Sequence, residues 1–255
     1  MKGSGFLFTA AVLIVGWALF AFALSYNLLQ KGSQAEYRVL ELDRVTAWNT
    51  NIGFNLQRGF RESMGLSTLS GPGFVSFSGA LPANLSAYNV RMGRIGLAAE
   101  TFLENTSVMV SSQPLVSYGN LNFTQVSDTT LKADLPQTVE AILLSGSLNG
   151  NISGCNLTYS GGDVAFSFDL AGNPGACSKS AGINISSKSS VEAADGIVFN
   201  INERTLYFTS IRQQPLNYTL TVRLNETETL PRPYIGCQVT SSIIGASKTS
   251  QVMLE

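Results

Sequence analysis

The chain has 255 residues, with 16 basic and 17 acidic side chains, a net charge of −1 and no histidine. That length allows a helical anchor with one sizeable domain, or two small domains. The charge balance leaves no basic field for nucleic acid. Without histidine the chain lacks the usual neutral-pH general base and imidazole metal ligands. We therefore predict that it is not an enzyme and holds no metal or cofactor.

The first element in the sequence is an apolar run from Phe6 to Leu24, 19 residues without a charged side chain. As a helix rising about 1.5 Å per residue it is roughly 28 Å long, close to the thickness of bilayer hydrocarbon. We assign residues 1–5 to a short basic leader and residues 6–25 to a hydrophobic helix in a membrane or filament core. The large side chains expected to make that contact are Phe6, Leu7, Phe8, Val12, Leu13, Ile14, Trp17 and Phe20.

The apolar run has three interpretations, which the sequence leaves open. Ala21 to Ala23 fits the small-residue cleavage pattern of a secretory signal peptide. The length of the run instead favours an uncleaved anchor, with Lys2 and the amino terminus inside the cell. In the third interpretation the run continues into a second, amphipathic helix, and both belong to one long helix.

A second helical pattern, clearest from Gln34 to Glu62, places residues 26–64 in an amphipathic continuation. Its apolar side chains recur at spacings of three to five residues; they are Tyr37, Leu40, Val45, Trp48, Ile52, Leu56 and Phe60. Opposite charges at helix-supporting spacings are Arg38 with Glu41, Glu41 with Arg44, and Arg58 with Glu62. We expect a bend at Gly32-Ser33. The stripe faces a partner or, alternatively, lies on the core of the domain that follows.

This arrangement resembles type IV pilin-like proteins, especially archaeal ones. Lys2-Gly3 stands where the basic leader of such a protein ends, and Ser4 would begin the mature chain. Many bacterial pilins carry glutamate at the fifth mature position, where this chain has Phe8; archaeal relatives often lack that glutamate. The resemblance implies a filament subunit whose hydrophobic helices bundle with those of identical subunits. It also implies a precursor embedded in membrane lipid.

Eight Asn-X-Ser/Thr sequons follow the apolar run, against roughly three or four expected by chance. They are Asn84, Asn105, Asn122, Asn151, Asn156, Asn184, Asn217 and Asn225. Charged residues make up only 13% of the chain, about half the usual share, and glycans would supply the missing polarity. We predict that residues 65–255 form an extracellular head, glycosylated at several of these sites on the cell surface.

The three cysteines, Cys155, Cys177 and Cys237, all lie in this head, in a compartment where disulfides persist. We predict a bridge between Cys155 and Cys177, because two tight turns bring their strands together. Cys237 would then be free or paired between chains.

The start of the head contains a predicted linker and a predicted helix. Gly65 to Gly73 is rich in Ser, Gly and Pro and is typical of a linker. Leu85 to Glu104 predicts a short helix. The side chains expected to face inward are Val90, Ile95, Leu97 and Phe102.

The rest of the head predicts strands joined by tight turns. Residues 140–177 indicate a meander: strand Ala141–Leu148, a hairpin turn at Asn149-Gly150, strand Ile152–Ser160, a turn at Gly161-Gly162, and strand Val164–Leu170 closed by Gly172 to Gly175. Ile197–Asn202 and Thr205–Arg212 predict a hairpin across Glu203-Arg204. Apolar and polar residues alternate from Tyr218 to Leu224, which predicts a strand with Asn217 and Asn225 on its polar face. A last strand is expected around Tyr234 to Ile244.

These elements predict an α+β fold, in which a long N-terminal hydrophobic and amphipathic helix is followed by an antiparallel β-sandwich-like head. The favoured function is a structural subunit of a pilus-like filament, with adhesion as an associated role. The alternative is a single-pass membrane-anchored adhesin or receptor that does not polymerise. A charged residue at Leu13 should abolish both insertion and assembly. A secreted hydrolase would need an acid/base pair such as Asp163 with Asp169, and no pattern supports one.

Overall fold

The computed structural model describes residues 4–152, 154–157, 161–194, 196–212, 214–225 and 232–254. Side chains are described from residue 15 onward, except at 189 and 191–194. The fold is α+β. Its helices within these ranges are α1, Ser4–Met64, and α2, Leu85–Phe102.

The strands of the described chain form two sheets. In chain order they are β1 (Ser67–Gly71), β2 (Phe74–Leu81), β3 (Thr106–Val110), β4 (Leu115–Tyr118), β5 (Leu121–Ser127), β6 (Thr130–Asp134), β7 (Val139–Leu148), β8 (Val164–Ala171), β9 (Ala176–Ile183), β10 (Ser189–Ala194), β11 (Ile197–Asn202), β12 (Thr205–Ser210), β13 (Leu216–Leu224), β14 (Tyr234–Ile243) and β15 (Ala246–Met253). One sheet has the order β1-β2-β13-β7-β8-β9. The other has the order β10-β11-β12-β6-β5-β4-β14-β15, with β3 also beside β14. Between described strands only β7 and β8 run parallel.

The long helix α1 is uninterrupted over 61 residues, which makes it about 92 Å long at 1.5 Å per residue. No proline occurs within it, and each interior glycine costs only about 1 kcal/mol relative to alanine. It continues without a break through Gly32-Ser33. It ends at Gly65, whose φ of 59° is left-handed and whose N–H donates to the carbonyl of Arg61, as helix-terminating glycines do.

The second half of α1 packs on the head of its own chain. It contacts β14, β15 and α2, and Asn49 donates a hydrogen bond of 3.0 Å to the carbonyl of Lys248. The buried members of the predicted stripe are Val45, Ile52, Leu56 and Phe60. From Val45 onward the stripe therefore lies on the head's own core rather than facing a partner.

The helices α1 and α2 approach closely at Gly59. A Cβ there would come within 2.5 Å of Cδ1 of Ile95, so a larger residue would displace that side chain. Arg58 and Glu62 form the predicted ion pair at 2.7 Å, and Glu62 also pairs with Arg91 of α2. Side chains of α2 packed on Gly59 and the shared carboxylate of Glu62 thus hold α2 against the long helix.

Aromatic side chains join the two sheets. Phe77 of β2 stacks on Phe123 of β5 with ring centroids 4.7 Å apart. Phe208 of β12 meets Tyr218 of β13 edge to face at 5.2 Å. Such pairs contribute about 0.5–1.5 kcal/mol beyond the burial of their area. The core of the head therefore lies where inward-facing residues of both sheets meet.

Several predicted strands are confirmed. The strand β8 alternates buried and exposed residues along Val164–Leu170, and Asn217 and Asn225 are exposed on β13 and just after it. The strands β11 and β12 form the predicted hairpin. Its turn residues Glu203 and Arg204 have φ of 46° and 66°, as a type I′ turn requires.

The predicted linker is wrong. Residues Gly65 to Gly73 contain the strand β1 and the turn at Pro72-Gly73 that leads into β2. Because β1 is an edge strand with mostly exposed side chains, its sequence carries no apolar alternation. Ser and Gly there were mistaken for linker residues.

The predicted meander is also wrong between β7 and β8. These strands are parallel, so Asn149-Gly150 does not form a hairpin; parallel neighbours need a crossing connection. The described residues of that connection contain no strand, although residues 153 and 158–160 of the predicted strand Ile152–Ser160 lie outside them. At Gly162 a Cβ would overlap the backbone of Ile183, so the glycine serves a close approach as the connection enters β8.

The helix α2 exists as predicted but presents a different face. It buries Tyr88, Met92 and Gly96, and of the four residues expected inward only Ile95 packs against the core. The exposed ones are Val90, Leu97 and Phe102. Apolar periodicity did not reveal the inner face, because that face includes Tyr88, whose hydroxyl is hydrogen-bonded, and Gly96.

Candidate assembly surface on the long helix

Every described side chain of α1 from Val15 to Leu40 is exposed; we call this segment the stem. Large apolar side chains of this kind are normally buried. They are Val15, Trp17, Leu19, Phe20, Phe22, Leu24, Tyr26, Leu28, Leu29, Tyr37, Val39 and Leu40. Among the described side chains of the helix, the first buried one is Glu41, so the head buries no described side chain of the stem.

At about 3.6 residues per turn, the large apolar side chains between Val15 and Leu29 fall on two opposite faces of the helix, and the sides between them carry mostly small residues such as Ala18, Ala21 and Ala23. A helix that is apolar all round is normally buried in a protein core or in a membrane. Trp17 and Phe20 contact each other edge to face at 6.4 Å, yet Trp17 remains 72% exposed. Contiguous apolar surface of this size marks a site of interaction.

The predicted assembly residues fall in two groups. Trp17 and Phe20 lie on the stem and are exposed. The side chains of the others lie outside the described part of the structure; these are Phe6, Leu7, Phe8, Val12, Leu13 and Ile14. Within the part that is described, no helix combines the length and the hydropathy needed to cross a bilayer.

The sequon asparagines are mostly at the surface of the head. Seven of the eight are exposed: Asn84, Asn105, Asn151, Asn156, Asn184, Asn217 and Asn225. Asn122 differs, because it is half-buried in β5 between two paired strands. Its side-chain oxygen accepts a hydrogen bond of 2.5 Å from Ser117. A glycan would fit the exposed positions without disturbing the sheets.

Two of the exposed asparagines use their side-chain oxygens locally. Asn84 caps α2, since its Oδ1 accepts a hydrogen bond of 2.8 Å from the N–H of Ala87. The Oδ1 of Asn184 accepts one of 2.9 Å from the N–H of Ser186. In both, Nδ2 has no partner among the described residues, and this is the atom to which a glycan would be linked.

The predicted disulfide is confirmed. Cys155 and Cys177 are joined, with an S–S distance of 2.08 Å and Cα atoms 5.5 Å apart. Cys155 lies in the irregular connection before β8 rather than in a strand, so the bridge ties that connection to β9.

Cys237 is free and buried in β14. Burial raises the pKa of its thiol to about 12. A buried, protonated thiol is unreactive. The structure therefore favours the free thiol over the bridge between chains that the sequence left open.

The acid/base pair considered for a hydrolase is not assembled. Asp163 precedes β8 and Asp169 lies on its outer face, roughly 20 Å away at about 3.3 Å per strand residue. Paired catalytic carboxyl groups are much closer, within about 10 Å. Among the residues that the structure describes, no three Cys, Asp or Glu side chains group as a metal site.

Comparison with known proteins gives this chain no family. It matches no protein-family model, no curated protein and no solved structure. The resemblance to type IV pilin-like proteins remains an expectation from the sequence.

Glu41 has an environment that sequence reasoning missed. The spacing predicts ion pairs with Arg38 and Arg44, but neither forms among the described residues. The side chain is 3% exposed, and both carboxylate oxygens are buried without a hydrogen-bond partner in that part of the chain. The charge pattern could not reveal this, because Ile244 and Gly245, which border the same groove as Glu41, lie in the turn between β14 and β15 at the other end of the sequence.

Proposed function

We propose that this chain is the structural subunit of a pilus-like extracellular filament, assembled through α1 and displaying a glycosylated head. The stem carries the proposal. It is a helix with large apolar side chains on two opposite faces, and these side chains are exposed in the described chain.

Burial of the stem is the driving force of assembly. Each large side chain such as Phe22 or Leu28 gains roughly 1.5–3 kcal/mol when it leaves water. Lipid and a bundle of identical helices offer nearly the same gain, so packing geometry decides between them. Small residues on the stem permit close approach of neighbouring helices: Gly16, Ala18, Ala21 and Ala23. A subunit held first in membrane lipid would therefore pass into a filament core at little cost.

The head supports an extracellular location. Disulfides such as Cys155–Cys177 persist outside the cytosol, and exposed sequons suit an acceptor domain that faces the exterior. We take the two sheets, joined by aromatic contacts, as a β-sandwich-like head. In this function the head has no catalytic role, cofactor or nucleic-acid partner, and the amino terminus is inside the cell before assembly.

The joint between helix and head suits a filament. The second half of α1 is seated on β14, β15 and α2, whereas the stem extends beyond the head. Side-by-side stems would thus form a core with the heads outside, and the helix from Glu41 onward would hold each head at a fixed position.

Electron microscopy of material shed from cells that express the full chain tests the proposal. Phe22→Glu should abolish filaments, because it places a charge in the helix bundle. Phe102→Glu on α2, at an 83% exposed position of the head, is the matched control and should leave them intact. Wild-type protein found only as a membrane-bound monomer would instead support the non-polymerising adhesin. Filaments unaffected by Phe22→Glu would show that the stem is not the assembly surface.

A further inference from the structure

A groove lies on one face of the second sheet, at the point where β14 changes its neighbour; we call it the β14 groove. Tyr234 and Ile235 of β14 pair with β4, whereas the residues from Cys237 to Ser241 pair with β3. The pairing of β14 with β15 also shifts between Tyr234 and Gln238. Irregular pairing of this kind bends a strand and re-aims its side chains. The groove has a volume of about 360 Å³, which lies in the size range of small-molecule sites.

The β14 groove opens on the face of the sheet opposite to the helices. Val108 of β3 lies beside Gly96 of α2, and Val252 of β15 lies beside Gly53 of α1. Successive side chains of a strand point to opposite faces, so the residue after Val108 and the residue before Val252 point away from both helices. In the proposed filament the stems form the core, and this face of the head is therefore directed outward.

Gly236 of β14 forms the floor of the groove. A Cβ at this position would come within 2.9 Å of Cβ of Ser111 and within 3.1 Å of Cβ of Leu115. The carbonyl of Gly236 also accepts a hydrogen bond of 2.7 Å from the N–H of Ser111, which holds the segment after β3 against the floor. Because any side chain at this position would fill the space between these walls, the glycine keeps the groove open.

Two glutamines supply unused hydrogen-bonding groups at one end of the groove. Gln238 of β14 and Gln251 of β15 both line it and are register partners, so their side chains stand next to each other on the same face. Neither amide forms a hydrogen bond with a described residue. Each amide offers one carbonyl acceptor and two N–H donors. The pair can therefore bind adjacent hydroxyl groups, which both donate and accept.

The remaining walls of the groove are largely apolar. They include Met109, Leu115 and the ring of Tyr234. Met109 is 67% exposed, and the ring of Tyr234 contacts no other aromatic ring in the described chain. An aromatic ring beside free amides matches a sugar, which has apolar C–H surfaces and a rim of hydroxyl groups. None of the described residues that line the groove carries a charge, so a neutral sugar fits better than a phosphate or carboxylate ligand.

We propose that the β14 groove binds one neutral sugar ring of a glycan outside the filament, with Tyr234 as the apolar platform and Gln238 and Gln251 as the hydrogen-bonding pair. The adhesive role that follows rests on the proposed filament function, whereas the binding of a sugar by the head does not. A single ring of this size is expected to bind with a Kd on the order of 1 mM. Many heads along one filament would bind the same surface together, which raises the overall avidity.

Calorimetric titration of the full chain, solubilised in a detergent without a sugar headgroup, tests the site. The probes are the methyl glycosides of glucose, galactose and mannose, together with N-acetylglucosamine, and at least one of them should bind. Tyr234→Ala should weaken that binding about tenfold or more, because it removes the platform. The matched control is Tyr207→Ala, at a half-buried position of β12 in the same sheet, which should leave the affinity unchanged. Failure of all four sugars to bind the wild type would overturn the proposal.

Gln238→Leu tests the hydrogen-bonding pair in a variant that keeps the size of the side chain. The loss of the amide should weaken sugar binding about tenfold. Gln113→Leu is the matched control, since Gln113 is an exposed glutamine of the head that does not line the groove. Unchanged sugar affinity in Gln238→Leu, with wild-type resistance to urea, would show that the sugar binds elsewhere and would overturn the proposal.

A glycan of the chain itself is the competing source of a sugar ring, because the sequon residue Asn105 directly precedes β3. Equal binding of the added sugar by the glycosylated wild type and by Asn105→Gln would support an external source. Binding that appears only in Asn105→Gln would show that the chain's own glycan fills the groove, and would overturn the external source.

The two proposals fail in different ways. If the wild type forms filaments but binds none of the sugars, the inference about the β14 groove is wrong and the filament function stands. If the solubilised chain binds a sugar but forms no filaments, the filament function is wrong, and the sugar site belongs to the non-polymerising adhesin.

Discussion

Phe60 of α1 and Tyr88 of α2 meet edge to face, with ring centroids 5.9 Å apart at an interplanar angle of 87°. The hydroxyl of Tyr88 donates a hydrogen bond of 3.0 Å to the carbonyl of Ser111, just after β3. Both side chains are fully buried. One aromatic pair thus ties the long helix to the second helix and, through it, to a sheet.

Phe60→Ala should destabilise the joint between helix and head. Truncating a buried phenylalanine costs about 3–5 kcal/mol, because it removes apolar contacts and leaves a cavity. The matched control is Phe54→Ala, at a 63% exposed site of the same helix, which should change the free energy of unfolding by no more than about 0.5 kcal/mol. Urea unfolding of the solubilised chain measures both. Equal losses in the two variants would contradict the packing of α1 on the head.

Removal of the disulfide should destabilise the head. The bridge closes a loop with a sequence separation of 22, for which the chain-entropy relation gives about 3 kcal/mol. The double variant Cys155→Ala/Cys177→Ala should lose that amount, and a reductant should lower the urea midpoint of the wild type only. If the urea midpoint of the wild type does not change when reductant is added, the bridge does not constrain the unfolded chain.

The head should lose stability in alkali because of Cys237. Burial raises the pKa of this thiol from its ordinary 9.0 to about 12. The unfolded chain therefore ionises first, so the contribution to stability is intact below pH 9.0 and is lost as the pH rises to about 12. One such group changes the free energy of unfolding by about 1.4 kcal/mol per pH unit.

Cys237→Ala isolates that contribution. Its stability should fall less steeply with pH than that of the wild type, whatever its stability at neutral pH. Burial also raises the pKa of Tyr218, so a residual decline above pH 10 is expected in both proteins. Parallel curves, or rapid alkylation of Cys237 in the folded protein at pH 8, would contradict the burial of the thiol.

Glycan occupancy should follow exposure. Asn217 stands free on the outer face of β13, whereas Asn122 is half-buried in β5 and bonded to Ser117. Glycopeptide mapping of the native protein should find Asn217 occupied and Asn122 largely unmodified. The mass of the head should fall in Asn217→Gln and stay the same in Asn122→Gln. A glycan at Asn122 in folded protein would show that this part of the second sheet is open.

The sequence predicted those parts of the fold that carry a local pattern. In β8 and β13, alternation follows directly from one buried and one solvated face. Glu203 and Arg204 lie between two runs in which apolar and polar residues alternate. That pattern predicted the hairpin of β11 and β12 correctly. The disulfide was predicted correctly from two tight turns. The turn at residues 172–175 does join β8 to β9, but Cys155 lies outside any described strand.

The features that the sequence did not predict depend on contacts between residues far apart in the chain. The strand β15 was missed because it is an edge strand packed against α1, and Val252 is its one buried apolar side chain among those described. The parallel pairing of β7 and β8 overrode a strong turn signal at Asn149-Gly150. Glu41 is buried where α1 packs on the head, so no pattern local to α1 predicts its burial.

The seating of α1 on β15 has a mechanical consequence. Asn49 contacts Lys248, and Gly53 lies beside Val252, so the helix and the strand run in the same direction. Tension on one end of such a helix would enter the head as shear along the β14–β15 ladder. Many hydrogen bonds would then bear the load at once instead of breaking one by one, so in the proposed filament the head would stay folded under tension.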